Sequence, residues 1–521
     1  MYRRENSSSG LSAKRTPPRR DTAPGQDGAI AQALVDARIR VPSRATLARE
    51  MAEAVGPAHV LDRPGDILAY EYDASNITAV PDLVVLPGSA TEVAAVLRVA
   101  ARHGIPVTPR GAGTGIACGA LPIVGGVVVA LTRMNRILDI DLDNRIAVVE
   151  PGVTNIDITR AVADRGFFYA PDPSSQYASS IGGNVGHNSG GPHTIAYGVT
   201  TNHVVGLELA LANGDVVRVG ACGLDAPGVD LTGLIVGGEG TLGIVTRVWV
   251  RLLRRREAVT TLLAVFADLD RASEATTEII GRGVGPVALE MMDRNTIRVV
   301  EPFVHAGYPL DAEAVLLIEV EGLRDVLPTA GALIVEICRG RGAVEVRTAR
   351  TDEEREALWL GRKAAFGALG QIAVNYYLHD AVVPRTRLPE VLRRVQQIAA
   401  RERLTLANVF HAGDGNLHPI IIFDARVPGE TERVIRAGEE MLRACVDAGG
   451  TITGEHGVGF EKNNYMPWIY GEADLAALAA VKSVFDPGGL MNPWKLFPTP
   501  VSCTQVLAHA LPAHPRPGEW V

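Results

Sequence analysis

The sequence contains little cysteine, no long apolar run and no excess of positive charge. Its 5 cysteines are scattered through 521 residues without a CxxC pair, which excludes a disulfide framework, a zinc knuckle and an iron–sulfur cluster bound by this chain. No apolar stretch reaches the roughly 20 residues that a membrane-spanning helix needs. The net charge of −8 argues against nucleic acid as a partner. We therefore expect a globular protein of a reducing compartment, cytoplasmic and without a direct membrane span.

Length and composition predict at least two folded domains with loose ends. A chain of 521 residues is too long for one compact core. Short β-branched runs alternate with helical patterns, so the expected class is α+β. Glycine and asparagine are concentrated in the first half, and longer helical patterns follow. We predict a disordered tail and lead-in over 1–43, a glycine-rich domain over 44–256, a second α+β domain from 257, and a flexible tail over 498–521.

The first domain carries three glycine-rich segments. PRGAGTGIACG (109–119) follows a predicted strand, and backbone free of side chains can surround a pyrophosphate. Ile116 breaks the strict GxGxxG pattern, and no acidic residue follows about 20 residues later, so an NAD-binding Rossmann domain is disfavoured. The other segments are PDPSSQYASSIGGNVGHNSGG (171–191) and VGGEGTLGIVT (236–246). One segment alone is compatible with a tight turn, but three predict an extended ligand such as a flavin with an adenine tail.

Two histidine-bearing motifs in the second domain predict a catalytic metal site. HAGDGNLH (411–418) places an imidazole on each side of a turn between two apolar strands, and cross-strand neighbours lie about 5 Å apart. TGEHGVG (453–459) offers the carboxylate of Glu455 as a third ligand. Two histidines and one carboxylate leave positions open for a substrate. Two alternatives remain: the histidines cap the turn by hydrogen bonds, or the triad belongs to a non-haem iron oxygenase, against which the glycine-rich segments argue.

The order of the motifs resembles one flavoprotein family along most of the chain. RGAGTG, PDPSSQ, IGGNV, NSGGPH, YGVTT and GGEGTLGIVT closely resemble the FAD-binding domain of the vanillyl-alcohol oxidase (PCMH-type) superfamily. The second half is similar to the FAD-linked D subunits of bacterial glycolate oxidases, through LEMMDRNTIR, LWLGRKAAFGALGQI, VFHAGDGNLHPIIIFDA, TGEHGVGFEK and FDPGGLMNPWK. The resemblance implies a PCMH-type FAD-binding domain and a second α+β domain, over 257–497, with a central antiparallel sheet. This second domain would bind substrate and metal, and its C-terminal segment would return to the flavin.

The resemblance also implies which residues bind FAD. The implied residues are Arg110, Gly111, Ala112, Gly113, Thr114, Gly115, Pro173, Ser174, Ser175, Gly182, Gly183, Asn184, Asn188, Ser189, Gly190, Glu239, Gly240 and Ile244. Some members of the superfamily attach the flavin covalently through a histidine in the first segment. Residues 109–119 contain no histidine, so we predict non-covalent FAD. Cys118 and His187 depart from the commoner residues of the group, and Cys118 is expected to be a small packed residue.

For the second domain the resemblance implies metal-assisted oxidation of a 2-hydroxy acid. His411, His418 and Glu455 would hold a divalent metal, with zinc as the first candidate and iron or manganese as alternatives. His456 would be the base that accepts the hydroxyl proton. Adjacent residues on an extended chain point apart, which fits separate roles for Glu455 and His456. The substrate hydride would pass to flavin N5.

The resemblance implies that one arginine binds the substrate. Arg362 matches the carboxylate-binding arginine of the family, and the alternative is a solvated helix residue beside Lys363. Tyr376, Tyr377 and Asp380 are interpreted as core residues, although they would be suited to line a pocket.

The implied reaction is the oxidation of glycolate to glyoxylate, with D-lactate or another D-2-hydroxy acid as the alternative substrate. The chain would be the catalytic subunit of a glycolate oxidase-like complex and would pass electrons to a second flavin subunit and an iron–sulfur subunit. Such partners would hold it at the inner face of the membrane. A non-catalytic flavin subunit of such a complex lacks the metal site, so the histidine motifs argue against that role.

Overall fold

The computed structural model describes residues 43–220, 228–372 and 375–510. Of the predicted tails over 1–43 and 498–521, residues 1–42 and 511–521 lie outside the described residues. Within the described part of the chain, no helix combines the length and apolar character needed to cross a membrane. Short 3-10 helices occupy Pro57–His59, Leu68–Tyr70, Ala163–Arg165, Thr200–Asn202, Arg385–Arg387 and Asn463–Trp468.

The first domain is built from short strands and mostly short helices. Its strands are β1 (Val60–Leu61), β2 (Leu83–Val85), β3 (Val107–Arg110), β4 (Val127–Ala130), β5 (Ile137–Asp141), β6 (Ile146–Val149), β7 (Phe167–Phe168), β8 (Val204–Ala210), β9 (Val216–Gly220), β10 (Ile244–Arg251) and β11 (Leu253–Arg254). Its helices are α1 (Arg44–Val55), α2 (Pro64–Ile67), α3 (Ala90–His103), α4 (Asn155–Arg160), α5 (Ile181–His187), α6 (Thr194–Tyr197) and α7 (Leu231–Ile235). The strands form a four-stranded sheet, β1-β2-β4-β3, and a five-stranded antiparallel sheet, β5-β6-β10-β8-β9; β7 and β11 pair separately.

Helix α3 shows how the sequence positions the first glycine-rich segment. The Ser89 hydroxyl caps its first turn by accepting the N–H of Glu92, and Gly104 ends it in the left-handed conformation, as typical caps do. Its buried face shares a core with β2, β3 and β4. Strand β3 lies at the edge of the sheet and ends at Arg110. The packing of helix α3 on the sheet therefore fixes the position of the first glycine-rich segment, which continues from β3.

The second domain surrounds one large antiparallel sheet. Its strands are β12 (Ala258–Phe266), β13 (Ala288–Asp293), β14 (Ala314–Gly322), β15 (Ala343–Thr348), β16 (Asn375–Leu378), β17 (Ala381–Val382), β18 (Thr405–Phe410), β19 (Asn416–Leu417) and β20 (Pro419–Phe423). Its helices are α8 (Leu269–Gly281), α9 (Arg294–Val304), α10 (Leu327–Gly340), α11 (Asp352–Ile372), α12 (Leu388–Glu402), α13 (Glu430–Asp447), α14 (Glu472–Phe485) and α15 (Cys503–Ala510). The seven-stranded sheet has the order β15-β12-β14-β13-β18-β20-β16, and all neighbours in it are antiparallel.

The large sheet is covered on both faces. Alternate residues of β12 enter different cores: Leu262, Ala264 and Phe266 pack in one, and Leu263 and Val265 in the other. This alternation follows from the two-residue period of a strand. The central antiparallel sheet expected from the sequence is therefore present.

The chain after α14 returns to the first domain. The N–H of Asn492 donates to the carbonyl of Val107, and its side-chain amide donates to the carbonyls of Gly119 and Glu239. Lys495 donates to the carbonyl of Leu121. These bonds hold the end of the second domain against the first and third glycine-rich segments.

The predicted flexible tail is corrected for residues 503–510, which form helix α15. Cys503 and Leu507 are buried and pack with Ile77, Cys118 and Phe460. Two apolar side chains one helical turn apart find a site on the first domain, and this contact outweighs the proline-rich composition that predicted a loose end.

Candidate active site

One cavity between the domains is lined by all three glycine-rich segments and by the histidine motifs. His418, Glu455 and His456 line it from the second domain. The predicted FAD residues that line it are Arg110, Gly111, Ala112, Gly113, Thr114, Gly115, Pro173, Ser174, Ser175, Gly182, Gly183, Asn184, Ser189, Glu239, Gly240 and Ile244. The predicted flavin pocket and the predicted metal site are thus parts of one space.

The first glycine-rich segment leaves space beside its backbone that side chains at its glycine positions would fill. Gly113 has φ +73°, and a Cβ there would lie 2.2 Å from Nη2 of Arg110. A Cβ on Gly111 would lie 2.2 Å from the Oγ of Ser180. Nη1 of Arg110 is buried without a hydrogen-bond partner among the described residues. A pyrophosphate oxygen would satisfy this donor, so the residues fit FAD.

Two predicted FAD residues do not line the cavity. Asn188 ends α5 in the left-handed conformation, and its side-chain oxygen accepts the N–H of Thr201. Gly190 is buried, and a Cβ there would lie 2.8 Å from Oε2 of Glu455. Asn188 therefore shapes its loop, and Gly190 lets that loop approach Glu455; their contact with FAD stays a prediction.

The predicted hairpin forms and puts its two histidines on one face. Strand β18 pairs with β20, and His411 lies opposite Asn416, two residues before His418. The histidines are therefore diagonal neighbours, with ring centroids 5.2 Å apart. Both side chains are buried, which places two imidazoles together in a water-poor site.

Asp380 fixes the loop that carries Glu455 and His456. Its Oδ2 accepts backbone N–H groups of Gly454 at 2.9 Å, Glu455 at 3.2 Å and His456 at 3.1 Å, and the Thr453 hydroxyl at 2.6 Å. Asp380 is fully buried. Asp380 is a core residue, as the sequence predicts, and it also anchors the loop that carries Glu455 and His456, because a buried carboxylate with four donors resists displacement.

The Glu455 carboxylate completes the predicted ligand set. Its Oε1 lies 3.0 Å from Nε2 of His411 and 3.4 Å from Nε2 of His418. Potential ligand atoms of these three residues lie within 4.8 Å of one another. Potential ligand atoms of a second group, Asp380, His418 and His456, also lie within 4.8 Å of one another. The structure therefore adds Asp380 and His456 as potential ligands.

Unsatisfied buried atoms in the cluster fit a bound cation. Both ring nitrogens of His418, Oδ1 of Asp380 and Nδ1 of His456 are buried without hydrogen-bond partners in the described part of the chain. Buried polar atoms are normally satisfied, and divalent metals of the zinc type accept imidazole nitrogen and carboxylate oxygen. The donor set therefore fits such an ion.

A buried ion pair lies behind His411. The Glu290 carboxylate on β13 accepts hydrogen bonds from Nδ1 of His411 at 2.8 Å and from Nε of Arg362 at 2.7 Å. A carboxylate on the second ring nitrogen orients a ligating histidine. Arg362 is 1% exposed and does not line the cavity. It is therefore not a solvated helix residue. Its guanidinium positions Glu290 and, through it, His411, and its predicted contact with the substrate carboxylate stays a prediction.

The local charges give the two catalytic-loop side chains different protonation states. Burial opposes the charge on Glu455, but His411 and the other histidines outweigh it and lower the pKa of Glu455 to about 2. Burial lowers the pKa of His456 to about 4, against the attraction of Asp380 and Glu455. Glu455 is thus a carboxylate and His456 a neutral imidazole at neutral pH, as a ligand and a proton acceptor require.

Several cavity residues were missed or left open by the sequence analysis. His187 lies against the first glycine-rich segment, since a Cβ on Gly119 would be 2.8 Å from its Nε2. Tyr376, Tyr377 and Lys363 also line the cavity. His187 belongs to the second glycine-rich segment, whereas no local pattern marks Tyr376, Tyr377 and Lys363, because they reach the site only through the packing of the two domains.

Comparison with known proteins identifies the same two domains. The model of the FAD binding domain matches residues 81–220, and that of the C-terminal domain of FAD linked oxidases matches residues 255–496. A solved structure of 4-ethylphenol oxidase from Gulosibacter chungangensis has a TM-score of 0.73 at 20% identity, and the match covers 88% of this chain and 98% of that one. These matches confirm the predicted fold.

Two curated relatives cover most of the chain. Glycolate oxidase subunit GlcD of Escherichia coli (strain K12) is 43% identical over 463 residues, or 89% of this chain and 93% of that protein. D-lactate dehydrogenase of Anaerostipes hadrus is 31% identical over 462 residues, or 86% of this chain and 96% of that protein. The chain is therefore an FAD-binding oxidoreductase that belongs to the PCMH-type family of FAD-linked oxidases to which glycolate oxidase subunit GlcD belongs.

Proposed function

We propose that this enzyme oxidises a short 2-hydroxy acid, with glycolate as the first candidate, and that a divalent metal held by His411, His418 and Glu455 assists the reaction. One observation carries the proposal: the neutral imidazole of His456 and the ligand cluster line the same cavity as the flavin-binding loops. The 43% identity to a glycolate oxidase subunit supports glycolate.

In this proposal His456 accepts the proton of the substrate hydroxyl. Its ring stacks on His418, and its backbone N–H is bound by Asp380, so its orientation is fixed before substrate arrives. Such preorganisation is what a general base needs. When bound, the metal would stabilise the hydroxyl in its deprotonated form, and FAD would accept the hydride at N5.

The chain also orients the proposed metal ligands and shields them from water. Glu290 holds Nδ1 of His411, so that Nε2 of that ring is directed at Glu455. The His411 and His418 side chains are each 3% exposed and that of Glu455 10%. Excluding water strengthens the electrostatic interactions inside such a site.

D-lactate is the second candidate substrate, supported by the 31% identity to a D-lactate dehydrogenase. Anaerobic mixing with glycolate, D-lactate, L-lactate and D-2-hydroxyglutarate separates the possibilities. We expect rapid bleaching of the flavin by glycolate or D-lactate. No bleaching by any of the four acids would refute the proposed reaction.

We further propose that the enzyme works as the catalytic subunit of a complex. The name of the relative, a glycolate oxidase subunit, supports this arrangement, and electrons on the reduced flavin need an acceptor. We propose a second flavin subunit and an iron–sulfur subunit as partners. Co-purification of the tagged chain with such subunits, detected by mass spectrometry and iron content, tests the assembly; isolation of the chain alone from its native source would contradict it.

A further inference from the structure

The catalytic loop, residues 453–459, is held by a carboxylate of the first domain. Oε1 of Glu239 accepts the backbone N–H groups of Val458 at 2.7 Å and of Gly459 at 3.0 Å, and Oε2 accepts that of Gly459 at 2.8 Å. Glu239 belongs to the third glycine-rich segment and is 5% exposed. A buried, charged acceptor strengthens each of these bonds, so the end of the loop is firmly attached to the first domain.

Glu239 is itself fixed from both domains. Its N–H donates to the carbonyl of Gly186 in the second glycine-rich segment at 2.9 Å. Its own carbonyl accepts the side-chain amide of Asn492, on the chain that returns from the second domain, at 2.7 Å. Its φ of +49° lies in the left-handed region, which a residue other than glycine adopts when its surroundings require it. The backbone around Glu239 therefore sets the position of its carboxylate.

Two glycines of the catalytic loop permit this close contact. Gly457 has φ +84°, and a Cβ there would lie 2.5 Å from Nδ1 of His187 and 2.7 Å from Oε1 of Glu239. Gly459 has φ +54°, and a Cβ there would lie 1.7 Å from the carbonyl oxygen of Ala117. The loop therefore packs directly on the first domain, and a side chain at either position would push it away.

His456 lies between two anchors that belong to different domains. Asp380 of the second domain accepts the N–H groups of residues 454 to 456, and Glu239 of the first accepts those of residues 458 and 459. Nδ1 of His456 has no hydrogen-bond partner among the described residues. The direction of its imidazole therefore depends on the loop backbone and on the stacked His418 ring.

We propose that the carboxylate of Glu239 positions His456 for catalysis by docking the catalytic loop on the FAD-binding domain. The inference rests on the proposed role of His456 as the base in the oxidation of a 2-hydroxy acid. Glu239 also lines the flavin cavity, so the experiment must separate positioning of the loop from binding of the cofactor. A side chain that binds FAD would lose the cofactor when replaced, whereas a positioning residue would lose turnover with FAD retained.

The test compares Glu239→Gln and Glu239→Asp with the control Glu53→Gln, which removes an exposed carboxylate from α1. Glutamine keeps the shape of the side chain but has one acceptor oxygen, and aspartate keeps the charge but is shorter by one methylene. Hydrogen bonds to charged groups contribute enough that we expect Glu239→Gln to lower kcat for glycolate by about tenfold to a hundredfold. Glu239→Asp should also lower kcat, both variants should retain FAD, and Glu53→Gln should behave as wild type.

A double variant separates an effect through His456 from general damage to the fold. If Glu239 acts through His456, Glu239→Gln should lower kcat by less than about twofold in the His456→Asn background, because residues that act as a unit are not additive. The same loss of kcat in both backgrounds would overturn the proposal.

Hydrogen exchange measures the docking of the loop without turnover. In the holoenzyme, the peptide that spans residues 453–459 should exchange its last amides at least about tenfold faster in Glu239→Gln than in wild type or Glu53→Gln. Unchanged exchange would overturn the proposal, and loss of FAD from Glu239→Gln would overturn it by assigning the carboxylate to the cofactor. Failure of the wild-type enzyme to oxidise any 2-hydroxy acid would refute the proposed function separately, because the exchange rates would still report whether Glu239 holds the loop.

Discussion

The His456 ring stacks on the His418 ring, with centroids 5.0 Å apart and planes inclined by 18°. His418 belongs to the predicted ligand set, so the proposed base rests directly on a proposed ligand. Oδ2 of Asp380 accepts the backbone N–H of His456, and Oδ1 of the same carboxylate lies 3.5 Å from Nε2 of His418. In the proposed mechanism, binding of the metal and orientation of the base are therefore mechanically linked.

Replacing the proposed base tests that link. We expect His456→Asn to keep FAD and metal and to lose about a hundredfold to ten-thousandfold in kcat, the usual contribution of a general base. His305→Asn is the matched control, since His305 is exposed and its left-handed backbone conformation tolerates asparagine. Turnover of His456→Asn within a few-fold of wild type would remove His456 from the mechanism.

Asp380 anchors the catalytic loop through four hydrogen bonds to one oxygen. In Asp380→Asn the neutral amide is a weaker acceptor and leaves buried donors poorly satisfied, so we expect the free energy of unfolding to fall by about 2–4 kcal/mol. Metal content should fall as well. Asp143→Asn, at an exposed position, controls for the change in charge. Equal denaturant midpoints of unfolding for Asp380→Asn and Asp143→Asn would contradict the role of Asp380 as an anchor of the loop.

His193 predicts a pH dependence of stability. Its ring lies between Asp172 of the first domain, at 2.8 Å, and Glu319 of the second, at 3.4 Å. Burial alone would lower the pKa of His193, but the two carboxylates outweigh it and raise the pKa to about 10. Because this exceeds the value near 6.5 of an unfolded chain, the stabilisation is fully present below about pH 6.5 and is lost as pH rises through about 10.

The check is the difference in Tm between wild type and His193→Gln across that range. We expect a difference that is largest near pH 6 and shrinks toward pH 10, because other alkaline titrations are common to both proteins. A difference that stays constant or grows with pH would show that His193 is not held in its charged form.

The attachment of FAD is tested by acid precipitation. No histidine occurs in the first glycine-rich segment, although His187 lies beside it. We expect a colourless pellet and free FAD in the supernatant. A yellow pellet in wild type that becomes colourless in His187→Asn would instead identify a covalent bond.

The parts of the site that local sequence patterns encode were predictable. The GDGN turn between two apolar runs predicted the hairpin of β18 and β20 and the proximity of His411 and His418, which the structure makes diagonal neighbours, since Asn416 lies opposite His411. Asp380 and Glu290 carried no such signal, because their partners lie 73 to 76 and 121 residues away. Arg362 was assigned by resemblance alone, and its burial depends on how α11 packs on the sheet.

The cluster of His411, His418 and Glu455 is proposed to hold a metal that is required for flavin reduction. Its most direct test is anaerobic rapid mixing of glycolate with three samples: the metal-replete enzyme, the same enzyme after removal of metal by a chelator, and the stripped enzyme after metal is restored. We expect fast flavin bleaching in the first and third samples and a bleaching rate at least about a hundredfold lower in the second. Equal bleaching rates in all three samples, with metal content verified, would contradict it.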